Sequence, residues 1–444
     1  MYLPVDVKYI IDTLYEHGYE AYAVGGCVRD MILGRTPGDW DITTSAMPEQ
    51  TKELFERTFD TGIEHGTVTV LLNGVGYEVT TYRIDGKYED GRHPIEVEFT
   101  RNLRDDLLRR DFTINAMAYN DREGLIDIFE GMKDLQKKSI RCVGDAELRF
   151  GEDALRILRA IRFSAQLGFE IEESTCESIR KLAGNLSMIS AERIQVEMIK
   201  LLISNHPEYI NKAYELGITK IILPEWDVMM ETEQETEHHI YTVGLHSLYA
   251  LQYIKNDKVL RLTMLLHDVA KPKCKKIDED GVAHFKGHEV EGEVMVKAIL
   301  RRWKMDNDTI KTTSKLVRFH DERIEAKMRN VRRAMYRMGE ELFPLYLEIR
   351  YADTMAQSMY MREEKLQNLV ELKACYEKIM EQKQCVSLKQ LNVTGSDLIA
   401  LGVPQGKSIG EILKQLLEIV IENPEYNTRE YLEKQVQENL KHNV

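Results

Sequence analysis

Two aspartates, Asp39 and Asp41, flank a single tryptophan in the segment "GDWDITTS" at residues 38–45. A strand is predicted here, and residues two apart on a strand point to the same side. Two carboxylates held side by side repel each other unless a cation lies between them. Mg²⁺ prefers such oxygen ligands and often bridges substrate phosphates. The pair therefore predicts a magnesium site that activates an attacking hydroxyl and neutralises a departing pyrophosphate. The alternative is a surface turn with two solvated acids.

A glycine pair lies just upstream of these acids, in "YAVGGCVRD" at residues 22–30. Gly25 and Gly26 precede a predicted helix start, where backbone N–H groups approach a phosphate closely. Arg29 would add positive charge in the same place. The segment therefore predicts phosphate binding beside the magnesium site.

Length, charge and cysteine usage restrict the class of protein. The chain has 444 residues, which predicts several domains. Its formal net charge of −14 argues against general adhesion to nucleic acid, so RNA binding would need a local basic track. Its six well-separated cysteines indicate reduced thiols in a cytoplasmic protein. No apolar run reaches about 18 residues and no signal-peptide pattern is present, so no membrane partner is expected.

The predicted secondary structure changes character near Arg149. Helix and strand signals alternate before it, and Asn73–Gly74 is a strong hairpin turn. After it, helical periodicity continues almost to the end of the chain. The pattern predicts the α+β class, with a small mixed head followed by a long helical remainder.

Five motifs occur in order over roughly the first two hundred residues. They read "VGGCVRDMILGRTPGDWDITT", "LLRRDFTINAMAYN", "GLIDIFEGMKDL", "GEDALRILRAIRFSAQLGF" and "ISAERIQVEMIKLL". Together they resemble the class II tRNA nucleotidyltransferase and bacterial poly(A) polymerase superfamily, whose head resembles the DNA polymerase β catalytic fold. The resemblance implies a third carboxylate on a neighbouring strand, for which Glu78 is the candidate. It also places Arg110 and Asp111 at the nucleotide triphosphate and ribose.

The chain is accordingly predicted to have four parts. They are a nucleotidyltransferase head (1–140), a neck of base-selecting and RNA-binding helices (141–225), an HD metal-binding domain (226–365) and a helical tail (366–444). The tail resembles the C-terminal tRNA-contacting domain of bacterial CCA-adding enzymes. The resemblance therefore implies that the acceptor and T arms of tRNA are the partner.

A pattern of acids and arginines in "RFGEDALRILRAIRFSAQ" (149–166) predicts a base-reading helix. Its members are Glu152, Asp153, Arg156, Arg159 and Arg162. Asp153 and Arg156 are three apart and are expected to be neighbours on the helix surface. An ionised Asp accepts hydrogen bonds and an Arg donates them, so the pair matches cytosine and adenine and rejects uracil and guanine. The resemblance implies that these side chains replace a template when CCA is added to tRNA; the alternative is an ordinary amphipathic helix.

A second constellation of histidines and acids lies in the helical middle of the chain. Its members are His246, His267, Asp268, His288, His320 and Asp353. It resembles an HD phosphohydrolase domain, in which an adjacent His and Asp, here His267 and Asp268, bind one metal with ligands from other helices. In two-metal members of that family, His288 and His320 would be the extra ligands. Imidazole with carboxylate suits Mn²⁺, Fe or Ni²⁺. A cyclic or monoester phosphate at an RNA end is the expected substrate, and an inactive scaffold is the alternative.

The functional prediction is Mg²⁺-dependent addition of CCA to tRNA from CTP and ATP, by a monomer or homodimer. The polar segment Asp85–His93, with Gly86 and Gly91, is predicted to be a hinged loop, and the family resemblance implies that it is needed for adding A. Three alternatives remain open: a poly(A) polymerase or a CC- or A-only enzyme, an HD phosphohydrolase acting on RNA ends, and a non-catalytic RNA-binding scaffold.

Overall fold

The computed structural model describes residues 2–86 and 97–442, and it divides the chain into two compact units, Met1–Pro224 and Glu225–Val444. The mixed head followed by helices confirms the predicted α+β class. The division into four parts stays a prediction. Within the described residues, no helix is long and apolar enough to cross a bilayer. The six cysteines are all free thiols.

The first unit contains a mixed sheet and two short strand pairs. Its strands are β1 (Ala21–Val24), β2 (Asp41–Thr44), β3 (Thr58–Gly62), β4 (Thr67–Leu72), β5 (Val75–Thr81), β6 (Arg83–Asp85), β7 (Val97–Phe99), β8 (Ala118–Asn120), β9 (Gly124–Ile126), β10 (Ser139–Ile140) and β11 (Glu170–Ile171). The main sheet has seven strands in the order β3-β4-β5-β2-β1-β8-β9. Within this sheet β2 pairs in parallel with β5, and the other pairs are antiparallel.

Helices surround this sheet and then take over the unit. They are α1 (Val5–Glu16), α2 (Gly26–Ile32), α3 (Pro48–Leu54), α4 (Leu103–Leu108), α5 (Gly131–Lys137), α6 (Ala146–Glu152), α7 (Leu155–Leu167), α8 (Glu173–Leu182), α9 (Ala191–Leu202), α10 (Ile210–Glu215) and α11 (Thr219–Ile222). Buried apolar side chains from β1, β8 and α4 pack together under the sheet, among them Tyr22, Leu107 and Ala118. The predicted hairpin at Asn73–Gly74 is present, because both residues adopt the positive φ that a tight two-residue turn requires.

The second unit is almost entirely helical. After α12 (Pro224–Met230) come α13 (Val243–Tyr253), α14 (Lys258–Leu266), α15 (Lys271–Cys274), β12 (Lys276–Ile277), β13 (Ala283–His284), α16 (His288–Arg302), α17 (Asn307–Phe319), α18 (Met328–Met338), α19 (Phe343–Ala356), α20 (Arg362–Glu381), α21 (Gly395–Ala400), α22 (Lys407–Glu422) and α23 (Arg429–His442). A buried apolar cluster at the C-terminal end includes Leu398, Leu416 and Leu432. The packing of α13, α14, α16, α17 and α19 positions the histidines described below.

Candidate active site and a buried histidine cluster

The acids of the head lie at the start of β2 and on its parallel neighbour β5. Asp41 is the first residue of β2 and is paired in register with Glu78 of β5. Residues directly opposite each other in neighbouring strands project to the same face. Asp39 lies two residues before the strand, so the prediction that both aspartates are on a strand is wrong for Asp39. The ladder of β2 begins only at Asp41, and Asp39 belongs to the turn that follows Pro37 and Gly38.

The electrostatic environment of these acids favours a cation. Desolvation raises the pKa of Asp41, and the neighbouring Asp39 raises it further, whereas the Arg110 guanidinium opposes both effects. Desolvation also raises the pKa of Glu78, and the charges of Asp41 and Asp39 add to the increase. The ionised forms are therefore in an unfavourable field that a bound divalent cation would relieve.

Gly25 lies between the acids and an arginine. Its φ is +84°, and a Cβ placed on it would lie 3.1 Å from Arg110 Nη1 and 4.0 Å from Asp41 Oδ2. A side chain at this position would therefore fill the gap between Asp41 and Arg110 and would also strain the backbone. Gly26 is the first residue of α2. The glycine pair thus lets backbone line the site directly.

Arg29 is buried rather than projecting into solvent. Its Nη1 donates to Asn115 Oδ1 at 2.7 Å, and its Nε donates to Asp30 Oδ1 at 2.9 Å. Asn115 in turn donates from Nδ2 to Asp111 Oδ1 at 3.2 Å. Arg29 thus belongs to a hydrogen-bonded network that leads to Asp111.

Asp111 is buried with its hydrogen bonds satisfied. Its Oδ2 accepts from Arg159 Nε at 2.7 Å, and its Oδ1 accepts from the Phe112 backbone N–H at 2.8 Å as well as from Asn115. Burial by itself would raise the pKa of Asp111, but the Arg159 charge and the Asn115 hydrogen bond lower it to about 2. Asp111 is therefore ionised throughout the physiological range.

Asp106, which the sequence patterns did not single out, anchors the arginines that precede Asp111. It is fully buried, and its Oδ1 accepts from Arg109 Nη2 at 2.7 Å. Its Oδ2 lies 3.4 Å from Arg110 Nη2 and accepts from Thr43 Oγ1 at 3.0 Å. Thr43 belongs to β2, so Asp106 ties both arginines to the strand that begins with Asp41. The spacings i,i+3 and i,i+4 in "RDDLLRR" contain the signal for this pairing.

The predicted base-reading helix is interrupted. The chain ends α6 at Glu152, passes through Asp153 in an extended conformation, and starts α7 at Leu155. Asp153 Oδ1 accepts from the Leu155 backbone N–H at 3.0 Å, a local side-chain hydrogen bond just ahead of the second helix, whose N-cap is Ala154. The prediction of one continuous helix is therefore wrong at this residue.

The structure does not bring Asp153 and Arg156 together as neighbours on one helix surface. Asp153 Oδ2 accepts from Arg193 Nη2 at 2.7 Å. Arg156 Nη1 donates to Glu152 Oε2 at 2.7 Å, and its Nη2 donates to the Arg109 backbone carbonyl at 2.9 Å. The helix break reorients Asp153 towards α9, where Arg193 in the fifth motif is its partner.

Arg162 and Arg159 share an aromatic neighbour. Arg162 forms an ion pair of 3.0 Å with Glu197, and both are buried. Burial lowers the pKa of Arg162 to about 10, although Glu197 opposes the decrease. The guanidinium carbons of Arg162, Arg159 and Arg29 lie 4.0, 5.3 and 5.1 Å from the centroid of the Phe163 ring. This single ring therefore packs against three of the predicted nucleotide-binding arginines.

The predicted hinged loop Asp85–His93 can be followed only through Gly86. From Lys87 onwards it lies outside the described residues.

The second unit gathers all six side chains that the HD resemblance indicated. The histidine cluster consists of His246, His267, Asp268, His288, His320 and Asp353, all buried. Two triads have ligand atoms that all lie within 4.8 Å of one another, and Asp268 belongs to both of them. They are His246–His267–Asp268 and Asp268–His288–His320.

The hydrogen bonds of three histidines fix which ring nitrogen carries the proton, and the other nitrogen, Nε2, faces the inside of the cluster. Nδ1 of His267, His288 and His320 lies 2.9, 2.8 and 2.6 Å from a backbone carbonyl oxygen. Each Nδ1 therefore carries the proton and donates, which leaves Nε2 with a lone pair. Nε2 of His288 and Nε2 of His320 are only 3.2 Å apart. Two lone pairs facing each other at this distance repel unless a cation lies between them.

Asp268 supplies the clearest unsatisfied group. It is 1 % exposed, and neither carboxylate oxygen accepts a well-directed hydrogen bond, although cationic and imidazole nitrogens lie close to it. Its ionic neighbours are Lys271 Nζ at 2.7 Å, His267 Nε2 at 3.2 Å and His320 Nε2 at 3.3 Å. Asp353 accepts from Arg350 at 3.1 Å. A buried carboxylate among neutral imidazole nitrogens is a donor set that suits a divalent transition metal.

The cluster opens into a cavity of about 1180 Å³ that carries several cations. Lys286, Arg323, Arg350 and Lys365 line it together with the cluster. Burial lowers the pKa of Lys365, and the charges of Arg350 and Arg323 lower it further. Acids line the same cavity, among them Glu289, Asp321 and Glu322, so it presents charges of both signs beside the histidines.

Three family descriptions match the chain. "Poly A polymerase head domain" matches residues 21–141, "Probable RNA and SrmB- binding site of polymerase A" matches residues 168–230, and "tRNA nucleotidyltransferase domain 2 putative" matches residues 289–436. A CCA-adding enzyme of Leuconostoc mesenteroides is 33% identical over 440 residues, which cover 97% of this chain and 95% of the relative. The chain belongs to the family of CCA-adding enzymes.

Further relatives of this family extend over nearly the whole chain. The CCA-adding enzyme of Ligilactobacillus salivarius is 35% identical over 95% of this chain and 93% of the relative. The crystal structure of the Bacillus stearothermophilus CCA-adding enzyme in complex with CTP matches with a TM-score of 0.74 at 29% identity, over 100% of this chain and 99% of that one. A Thermotoga maritima CCA-adding enzyme complexed with tRNA shares the fold, with a TM-score of 0.60 at 21% identity.

The family assignment confirms the predicted resemblance and makes the chain a tRNA nucleotidyltransferase. It also implies a divalent metal at the head. The individual site residues and the HD assignment stay predictions.

Proposed function

We propose that this chain adds C, C and A to the 3′ end of tRNA, using CTP and ATP, by Mg²⁺-dependent transfer at the head. The observation that carries the proposal is the register of β2 and β5, which pairs Asp41 with Glu78 beside the backbone of Gly25. Acids on neighbouring strands next to an open glycine backbone suit a metal-bound nucleoside triphosphate.

Asp39, Asp41 and Glu78 would hold the magnesium. The raised pKa values of Asp41 and Glu78 support this assignment, since desolvation and the neighbouring carboxylates outweigh the single positive charge of Arg110. Bound there, the ion would activate the tRNA 3′ hydroxyl and neutralise the leaving pyrophosphate.

The triphosphate would lie along Gly25, Gly26 and Arg110. Arg110 is held by Asp106 at a long 3.4 Å, so its guanidinium retains donors for phosphate oxygens. Arg29 would contribute charge from within the network rather than by direct contact. Asp111, ionised and held by Arg159, would accept a hydrogen bond from the ribose 2′-hydroxyl.

Base selection would rest on Asp153 and Arg156, within the group completed by Glu152, Arg159 and Arg162. Three of the five N–H groups of Arg156 are used by Glu152 and two backbone carbonyls, which leaves two donors. The Asp153 carboxylate accepts one hydrogen bond at each oxygen and keeps further lone pairs. The remaining acceptor sites of Asp153 and donors of Arg156 would match cytosine and adenine, with the two side chains held by different partners, Arg193 and Glu152.

The transfer activity is tested with a tRNA that lacks its 3′ CCA, labelled CTP and ATP, and Mg²⁺. Incorporation of both nucleotides that stops after three additions is expected. Long A tails would instead select a poly(A) polymerase, and incorporation of only C or only A would select a partial enzyme.

Base selection needs its own assay. Asp153→Ala is expected to lower the preference for CTP over UTP, measured as the ratio of kcat/KM values, by about 1–3 kcal/mol, the range of one bidentate contact. Glu173→Ala, an exposed acid on the neighbouring α8, is the control. An unchanged ratio would contradict the assignment.

We also infer a second function for the histidine cluster: binding of Mn²⁺, Ni²⁺ or Fe ions and hydrolysis of a cyclic or monoester phosphate at an RNA end. The buried Asp268 carboxylate, which both triads share, and the inward Nε2 atoms support the metal assignment. Metal would polarise the phosphate and supply a nucleophilic water when bound. Turnover of a 2′,3′-cyclic nucleotide that depends on one of these ions tests the function; its absence with each ion would favour a scaffold.

The partners that follow are the acceptor and T arms of tRNA, recognised through duplex shape and backbone. A cytoplasmic location, and a monomer or homodimer, remain part of the proposal. Size-exclusion chromatography with light scattering measures the oligomeric state.

A further inference from the structure

The densest basic run of the chain is neutralised within the second unit. This run, "RNVRRAMYRMG" at 329–339, forms most of α18. Arg329 and Arg333 both pair with Glu422, and Arg332 donates to the backbone carbonyl of Ile421. Arg337 also pairs with a glutamate. These arginines are therefore engaged in holding helices together.

Unpaired cations occur instead along the groove between α16 and α17. This α16–α17 groove has a cavity of about 400 Å³, and its lining includes Arg301, Lys311, Lys315, Arg318 and Phe319. Among the described residues, the first three of these form no ion pair, whereas Arg318 lies 3.4 Å from Glu289 and 3.9 Å from Glu293. The acid in the lining, Glu293, is itself paired with Lys297 at 2.5 Å. In a chain of net charge −14, such a groove is a local positive feature.

The spacing along α17 matches a nucleic-acid strand. Lys311, Lys315 and Arg318 are at i, i+4 and i+7, so they lie on one face of the helix. Seven residues span about 10 Å of helix. A single strand carries one phosphate per about 3.4 Å when its bases are stacked, so these side chains cover roughly three phosphates. Phe319, half-buried at the end of the row, offers a ring on which a base can stack.

The groove leads directly to the histidine cluster. Arg318 and Phe319 line both the groove and the cluster cavity. The next residue, His320, is a member of the cluster and caps α17. One helix thus carries both the basic row and one of the candidate metal ligands. A mononucleotide would use only the cluster cavity, whereas a strand of several nucleotides would also occupy the groove.

We propose that the α16–α17 groove binds the backbone of single-stranded RNA and brings the terminal phosphate of that RNA to the histidine cluster. This deepens the proposed function of the cluster by naming its substrate class, an RNA strand end rather than a free nucleotide. The chemistry at the end depends on that function, but the binding does not.

The test uses the full chain and a single-stranded RNA octamer whose 3′ phosphate prevents extension at the head. The variant combines Arg301→Glu, Lys311→Glu and Lys315→Glu. Fluorescence anisotropy is expected to show at least a tenfold loss of affinity. The slope of log K against log salt concentration is expected to become shallower by about 2, because each of the three lost phosphate contacts removes about 0.7. Lys276→Glu combined with Lys378→Glu and Lys389→Glu, three exposed lysines of the same unit that line neither cavity, is the charge-matched control and is expected to bind within twofold. Equal affinity and slope in the two variants would overturn the proposal.

A second measurement maps where the RNA lies. One probe is the same octamer with a photoreactive group at its 3′ end, and it is expected to cross-link to peptides that line the cluster cavity. A second probe carries the group four nucleotides further inward and is expected to cross-link to α17. Cross-links of both probes only to the first unit would refute the groove. A polyglutamate peptide of equal charge is expected to compete poorly; competition as strong as that of RNA would also refute it.

Hydrolysis separates this proposal from the function on which it rests. For the octamer, KM is expected to rise at least tenfold in the triple variant, while kcat/KM for a chromogenic phosphate monoester stays unchanged. If the unaltered protein hydrolyses neither compound but the binding and cross-linking results hold, the groove stands and the hydrolytic function fails. Hydrolysis of both compounds with an unchanged KM for the octamer would contradict the groove alone.

Discussion

Asp39 and Asp41 of the head are exposed at the start of β2, whereas Asp268 and Asp353 of the histidine cluster are 1 % and 4 % exposed among packed helices. The cluster brings its ligand atoms within 4.8 Å of one another, and the head carboxylates are not among the groups of described residues that do so. The two regions would therefore hold a metal in different ways. In the head, an ion would arrive together with the nucleotide phosphates that complete its ligands, whereas the cluster offers protein ligands enough for a resident ion.

The buried acids of the two regions also have different neighbours. In the head, Arg109 and Arg159 are held by Asp106 and Asp111, acids that are themselves buried. Buried acids in the head thus position cations, while the exposed acids are left for the metal. In the cluster, Asp268 has Lys271 Nζ at 2.7 Å and two imidazole nitrogens at 3.2 and 3.3 Å. Burial alone therefore does not distinguish a positioning acid from a candidate ligand; the buried acids of the head face arginines, whereas Asp268 faces imidazole nitrogens as well as a lysine.

The largest expected effect concerns the resident metal. Asp268→Asn removes the carboxylate shared by both triads, so the protein is expected to lose essentially all transition metal that purifies with it. Elemental analysis of the purified full chain, loaded with Mn²⁺ or Ni²⁺ and then desalted, measures this loss. Asp278→Asn, an exposed acid of the same unit, is the control. Metal retained at the unaltered level would remove the distinction between the two regions.

The next effect concerns a positioning acid. Asp106→Ala leaves Arg109 and Arg110 without their buried partner and is expected to destabilise the head by about 3–5 kcal/mol. Urea titration followed by hydrogen exchange in the head peptides reports the local free energy of unfolding. The adjacent Asp105→Ala removes one hydrogen bond with Thr100 and is expected to cost about 1 kcal/mol. An equal loss of unfolding free energy in the two variants would contradict the positioning of Arg109 and Arg110 by Asp106.

The smallest effect is a pH dependence of opposite sign at two acids of the head. Asp111 has a pKa of about 2, below that of an unfolded chain, so its stabilisation is present above about pH 4 and is lost as pH falls towards 2. Asp111→Asn is therefore expected to lower the free energy of unfolding by about 2–3 kcal/mol at pH 7 and by less near pH 2.

The opposite sign is expected for Asp41, whose pKa is raised. Asp41→Asn should increase the free energy of unfolding of the metal-free protein at pH 7, and this increase should become smaller as pH falls. The same hydrogen-exchange measurement at pH 7 and pH 3, with EDTA, compares them; a cost from both variants at pH 7 would contradict the contrast.

Candidate residues were easiest to identify in the sequence where the members of a group lie within a few residues of one another. Asp39 and Asp41, the glycine pair and the adjacent His267–Asp268 stand out because their chemistry is written within a few residues. The residues it missed act through distant partners: Asp106 with Thr43, Asn115 with Arg29, and Glu197 with Arg162. No local pattern shows which partner the fold will bring near.

The helix break at Asp153 was missed for a different reason. Apolar periodicity continues through 149–166 and favours one helix, but the Asp153 side chain competes for the backbone N–H of Leu155 and starts a new one. Such a hydrogen bond is visible in sequence only as an acid before an apolar run, and that pattern also occurs on ordinary helix surfaces. The α+β class and its helical continuation were predictable because they depend on long stretches rather than on one residue.

The most direct measurement of the central claim is the rate of nucleotide addition to a tRNA lacking CCA by the Asp39→Ala, Asp41→Ala double variant at saturating Mg²⁺. The expected result is a loss of at least about a thousandfold, equivalent to about 4 kcal/mol of transition-state stabilisation, while Asp268→Asn adds CTP and ATP at the unaltered rate. Addition by the double variant within threefold of the unaltered protein would contradict the assignment of the head acids to the reaction.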